Sequence, residues 1–196
     1  MSRDGAGPSP RERRRIARRR QILDLALEIA EAEGWEAVTT RRLADGIDFS
    51  QPIIYQHFSS REDVIRTVAL EGFSSLASRV RELDREQTDP AGVAKVCRVY
   101  LDFAREHPRL YEAMFTESVG LSFADEVTPP PLTDAFSAIL SHVARHVPLE
   151  RAESAAELVW ACCHGLASLR ASGRIPPDRL DEHLHSIQTM ISTESS

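Results

Sequence analysis

Apolar positions recur with helical spacing along almost the whole chain. Ile22, Ala26, Ile29 and Ala30 fall at i, i+4, i+7 and i+8, one face of a helix predicted from about Arg13 to Glu33 and ended by Gly34. Thr39 is a good N-cap for a short helix carrying Leu43, Ala44 and Ile47. Asp48-Phe49 reads as a turn. Ser50 caps a second short helix, with Pro52 in its first turn and Ile54 and Phe58 on its inner face. Ser59 with Glu62 and Ser60 with Asp63 form overlapping capping boxes, which open a long helix bearing Val64, Val68, Phe73, Leu76, Val80 and Leu83.

Further along, Asp89-Pro90 starts a helix with Val93, Val96, Cys97, Tyr100, Leu101 and Ala104 inward. Pro108 interrupts it ahead of a short aromatic helix. Residues 118–131 read as a loop. Leu132, Phe136, Ile139, Leu140 and Val143 mark a helix ended near Pro148. Another spans Glu150 to Ser172 and stops at Gly173, and a last one follows Pro176-Pro177-Asp178. No alternating strand pattern and no internal repeat is present. The expected fold class is all-α, with about nine helices in a small N-terminal unit and a larger C-terminal bundle.

With 196 residues, 42% of them hydrophobic, the chain is long enough to bury a core in one or two domains. No apolar run nears the roughly 18 residues of a membrane span. The first ten residues lack the apolar centre of a secretory signal, so a cytoplasmic location and no membrane partner are expected. Three cysteines, Cys97, Cys162 and Cys163, make an odd count without a CxxC, which fits a reducing compartment.

Net charge changes the picture only through its distribution. The total is −6, yet residues 1–20 hold eight arginines against Asp4 and Glu12. That segment carries +6 and the rest of the chain −12. A basic arm on an acidic body suits a protein that touches a polyanion with one end. A solubilising tail is the plainer alternative.

Residues 39–58 carry the chemistry. Two helices of about seven residues do not persist alone, and must be held at an angle by packing Leu43, Ala44, Ile47, Ile54 and Phe58 on their neighbours. That is helix-turn-helix logic. The second helix then presents Gln51, Pro52, Ile53, Tyr55, Gln56 and His57. An exposed Ile and Tyr among polar residues suit a helix in a DNA major groove better than a solvated face.

This stretch resembles the DNA-binding domain of the tetracycline-repressor (TetR) family of bacterial transcriptional regulators. The resemblance rests on Thr39-Thr40, Leu43-Ala44, Ser50, Tyr55-Gln56-His57-Phe58 and Arg61, and covers about residues 16–76. Asp48 departs from it, standing where the family usually has Gly, but Asp tolerates the left-handed region. The resemblance implies that Thr40, Tyr55, His57 and Arg61 grip phosphates, and that Arg41, Gln51, Pro52 and Ile53 meet base edges. Residues 1–15 form a flexible basic arm in this reading, 16–76 the DNA-binding domain, and 77–196 a domain for effector binding and dimerisation.

Trp160 to Leu166 is similar to the Trp-x3-His-Gly signature of one subgroup of the family's regulatory domains. The likeness implies a homodimer through the last two helices, with Gly165, Leu166, Leu169, Leu184 and Ile187 at the interface. It also implies a small-molecule effector in a cavity among the middle helices. Tyr100, Phe103, Tyr111, Met114, Phe115, Trp160 and His164 are candidates to line that cavity, and an ordinary core is the competing reading. The function expected is a ligand-responsive repressor of a palindromic double-stranded DNA operator, with no cofactor and no metal. An enzyme is disfavoured: no HExxH, GxSxG or phosphate loop is present, and Cys162, Cys163 and His164 point about 100° apart on a helix. A redox sensor using Cys97, Cys162 and Cys163, and a helical adaptor without DNA binding, remain the alternatives.

Overall fold

The first helix, α1 (Pro10–Glu33), begins earlier than the apolar pattern predicts. Ser9 caps it: its hydroxyl accepts from the Glu12 N–H at 3.2 Å, the Glu12 carboxylate accepts from the Ser9 N–H, and Pro10 needs no partner at the first position. The flexible arm expected over 1–15 is therefore helical from Pro10 onward. The computed structural model describes residues 7, 9–83, 91–115 and 128–193. Arg3, the expected helix start at Asp89-Pro90 and most of the 118–131 loop lie outside them.

A 3-10 turn at Trp35–Ala37 leads into α2 (Thr40–Gly46), and α3 (Gln51–Tyr55) follows. The Thr39 side chain accepts from the Arg42 N–H as expected of the cap. Asp48 takes φ 58°, the left-handed conformation that a bend between two helices demands. The bend is closed by the Phe49 N–H donating to the Ala44 carbonyl at 3.0 Å. At five residues α3 is shorter than predicted. Burial of Ile54 and Phe58 holds it, contributing about 1.5–3 kcal/mol for each side chain, since so short a helix is unstable alone. Both join Ile22, Leu23 and Ala26 of α1 and Leu43 and Ala44 of α2 in the core.

The next helix, α4 (Arg61–Glu82), runs through the domain boundary expected at residue 76. Ser60 caps it, and Asp63 reaches back to the Ser59 N–H at 2.8 Å. Its buried positions continue from Val64 to Val80, so one helix serves both units. Its far half packs on α6 (Pro108–Phe115) and α7 (Pro130–Val143). Gly72 permits this approach: a Cβ there would stand 2.8 Å from the Met114 Sδ.

The bundle is completed by α5 (Gly92–Glu106), α8 (Ala152–Ala171) and α9 (Leu180–Thr193), with α5 packed between α8 and α9. Short 3-10 turns at Leu149–Arg151 and Pro177–Arg179 precede the last two helices. Among the described residues there are nine α-helices and no strand, the all-α class read from the sequence. No described helix is long and apolar enough to cross a membrane.

Candidate nucleic-acid interface

Seven arginines of α1 lie in its amino-terminal half, and the last two, Arg19 and Arg20, serve the fold. Arg19 donates to the His57 carbonyl at 2.7 Å and to the Thr67 hydroxyl at 3.2 Å, with its guanidinium over the Phe58 ring. Arg20 bonds Asp24 and Glu71. Arg11, Arg14, Arg15 and Arg18 instead line a cleft of about 530 Å³ with Phe49, Ile53, Gln56 and His57. Arg18 stacks on Phe49 with its Cζ 3.8 Å from the ring centroid. A strip of positive charge thus continues directly into the carboxyl end of α3.

Gln51 and Pro52 are exposed at the start of α3, as is Tyr55, whereas Ile53 is half-buried against the core. Thr40 is half-buried in the first turn of α2. Beside it, Arg41 has 81% of its side chain exposed and, among the described residues, a 3.9 Å ion pair to Asp45. His57 is half-buried, and its pKa is lowered by burial and then by the positive charges of Arg19, Arg15 and Arg18.

Arg61 departs from the role that resemblance gives it. Its Nε donates to the Val38 carbonyl at 2.6 Å and a terminal nitrogen to the Trp35 carbonyl at 2.7 Å. Those carbonyls need donors where the chain turns into α2, so two nitrogens of the guanidinium serve the fold, while the third lies 3.5 Å from the Glu62 carboxylate. Trp35 in turn donates its Nε1–H to the Arg109 carbonyl at 2.8 Å, tying this corner to α6. The sequence reading also missed Phe49 and Arg18 as lining residues. The i, i+3, i+4, i+7 spacing of Arg11, Arg14, Arg15 and Arg18, behind the Ser9-Pro10-x-Glu12 cap, was the available signal.

In the bundle, four of the seven candidate pocket residues form one hydrogen-bonded chain. The Trp160 Nε1–H donates to the Tyr100 hydroxyl at 3.2 Å, the Tyr100 and Tyr111 hydroxyls are 3.0 Å apart, and Tyr111 meets His164 Nδ1 at 2.7 Å. Burial raises the Tyr111 pKa and lowers that of His164. Phe115 packs on both Tyr111 and His164, with centroids 4.9 and 4.4 Å apart. Phe103 and Met114 do not join this group. Phe103 is buried beside His107 and under Arg79, and Met114 is buried against Gly72, so both belong to the core.

The thiols fit a sensor poorly. Cys97 and Cys163 are buried. The Cys97 thiol, then burial, push Cys163 well above its ordinary pKa, and burial raises Cys162. A reactive thiol needs the opposite shift. Among the described residues no group of three potential metal ligands is found.

The expected dimer residues divide. Among the described residues a Cβ at Gly165 would meet nothing within 4 Å outside the helix's own backbone, and Leu169 is 40% exposed. With exposed Leu158 and Ala161 and half-buried Cys162 they make an apolar strip along α8. Leu166 is half-buried against the core. Leu184 and Ile187, only 3% and 6% exposed, are already buried within the chain and leave no surface for a partner.

Comparison with known proteins agrees with this arrangement. Residues 22–68 match the family described as "Bacterial regulatory proteins, tetR family", and residues 93–192 match "Tetracyclin repressor-like, C-terminal domain". The chain is 26% identical over 157 residues to "Uncharacterized HTH-type transcriptional regulator Rv0681" of Mycobacterium tuberculosis, covering 79% of this chain and 71% of that protein. It is 31% identical over 102 residues to "HTH-type transcriptional activator FasR" of Mycolicibacterium smegmatis, covering 52% of this chain and about half (47%) of the relative. A structure of a protein of unknown function from Rhodococcus sp. RHA1 superposes with a TM-score of 0.75 at 21% identity, over 91% of this chain and 95% of that one. The helix-turn-helix, the arginine strip beside it and the matched C-terminal bundle make this chain a member of the TetR family, a DNA-binding transcriptional regulator and not an enzyme.

Proposed function

We propose that the protein is a homodimeric repressor of a two-fold DNA operator, released by a small-molecule effector held in the C-terminal bundle. The observation that carries the DNA half is the cleft where Arg11, Arg14, Arg15 and Arg18 of α1 meet Gln56 and His57 at the end of α3. An arginine strip contacts phosphates, while the exposed Gln51, Pro52 and Arg41 reach base edges. Two such units related by a two-fold axis fit two successive major-groove faces. On the effector side, Tyr111 attaches α6 to α8 through His164, and the Arg109 carbonyl attaches α6 to Trp35. A ligand that shifts α6 therefore biases the orientation of the DNA-binding unit.

Nuclease footprinting of the intergenic DNA beside the gene tests the reading. The expected result is a protected, two-fold symmetric site bound by a dimer. A single asymmetric half-site occupied by a monomer at full affinity overturns it. The relative named as an activator favours a second reading, activation. A reporter in a deletion strain decides by its sign: repression predicts rising expression and activation falling expression.

His57 provides a pH signature. Its pKa is held below the ordinary value in the free protein, chiefly by burial and then by Arg19, Arg15 and Arg18. A phosphate placed against it favours the charged ring, so binding takes up a proton. Operator affinity is thus expected to be higher at acid pH and to fall as pH rises from the lowered pKa of the free protein through that of the complex. Titrations from about pH 5.5 to about pH 8 at fixed salt check this. An identical slope in His57→Gln removes His57 from the phosphate contact.

A further inference from the structure

A cleft of about 320 Å³ opens beside the hydrogen-bonded chain, lined by Phe115, Glu157, Trp160, Ala161 and His164. The direction of that chain is fixed by its first member. Indole is a donor only, so Tyr100 accepts from Trp160. Tyr100 is fully buried, and Tyr111 is the acceptor within reach of its proton. Tyr111 must then donate to His164 Nδ1. The reverse order would strand the Tyr100 proton in the core, a costly arrangement. His164 is consequently a neutral ring with its proton on Nε2, and burial favours the neutral form. Nε2 has no hydrogen-bond partner among the described residues.

We propose that this cleft takes an uncharged, flat, largely apolar small molecule that accepts one hydrogen bond from His164 Nε2–H. The inference rests on the effector reading above and names the effector's chemical class. Phe115, Trp160 and the imidazole give aromatic walls for a planar ring system, and Phe136 backs Trp160 at 5.8 Å between centroids. The volume stands at the small end of ligand pockets. Among the described residues no arginine or lysine lines the cleft, and the Glu157 carboxylate at its rim repels an anion. A cation would face the positive end of the Nε2–H bond.

Isothermal titration of the full-length protein with four naphthalene probes tests the class: 2-acetylnaphthalene, its shape analogue 2-isopropylnaphthalene, 2-naphthoate and 2-naphthylmethylammonium. The ketone should bind about fivefold more tightly than the isopropyl compound, the gain of one hydrogen bond, and the two ions more weakly than either. His164→Phe should erase the ketone's advantage while retaining isopropyl binding. Tyr111→Phe keeps His164 but frees its tautomer, so the advantage should shrink there too, in a protein that still melts cooperatively. Equal binding of ketone and isopropyl compound overturns the proposal, as does a preference that survives His164→Phe. Tightest binding by an ion overturns the chemical class alone and leaves the effector site standing. No binding by any probe overturns the cleft as the effector site.

Discussion

Arg41→Ala is expected to flatten the base preference at one position of each operator half-site and to lower affinity by about 1–3 kcal/mol per lost bidentate contact. Arg41 stands in the first turn of α2, with most of its side chain in solvent and, among the described residues, a long ion pair to Asp45. Its planar fork fits guanine better than it fits a single phosphate oxygen. Tyr55, exposed on α3, offers one hydroxyl and suits the DNA backbone. Tyr55→Phe should therefore weaken binding by a similar factor on every operator variant without reordering them. Affinities for operators changed one base pair at a time, at fixed salt, measure both effects. The division of labour fails if Arg41→Ala preserves the ranking or if Tyr55→Phe rearranges it. Arg61→Ala is no clean phosphate control in such a series, since two of its nitrogens hold the Val38 and Trp35 carbonyls and their loss would disturb the fold.

Gly165→Leu should weaken the proposed dimer while making each chain more stable. Among the described residues nothing outside the helix's own backbone lies within 4 Å of a Cβ at this position, so the first carbon of a side chain meets no obstacle there. Replacing a mid-helix glycine by leucine favours the helix by about 0.5–1 kcal/mol. The bare backbone at Gly165 lies on the strip that includes Leu158, Ala161 and Leu169, where a second copy can approach closely. A leucine there holds two such helices apart. Sedimentation equilibrium should show a dissociation constant raised by about tenfold or more, comparable to the 1–3 kcal/mol of an overpacked contact. Thermal melts of the dilute chain should move upward. An unchanged dimer constant would make Gly165 a feature of its own chain.

The sequence foretold elements better than their occupants. Local events were the most legible: the Thr39 and Ser60 caps and the left-handed Asp48 act within four residues of themselves, although Ser50 stands at the start of α3 without a capping bond from its side chain. The start of α1 was missed because its outer turns carry no apolar stripe, and only Ser9, Pro10 and Glu12 announce it. Roles set by distant partners were out of reach. Periodicity could not reveal that Arg61 would be claimed by Trp35, 26 residues away. Nor could it separate Leu184 and Ile187, buried against their own chain, from Leu158 and Leu169 on the open side of α8. The Trp160–Tyr100–Tyr111–His164 chain likewise joins residues up to 60 positions apart, so the candidate pocket was readable as a collection of aromatic residues but not as a circuit.

The two tryptophans of the chain stand at opposite ends of the proposed route from effector to DNA. Trp160 forms a wall of the cleft, and Trp35 holds the corner between the DNA-binding unit and α6. Under the proposed effector reading, the molecule carries two native fluorophores, one at the input and one at the output. Trp160→Phe leaves an emission that reports only on the joint, and Trp35→Phe one that reports only on occupancy. Stopped-flow traces of the two single-tryptophan proteins would give the order of ligand arrival and domain response without any attached dye.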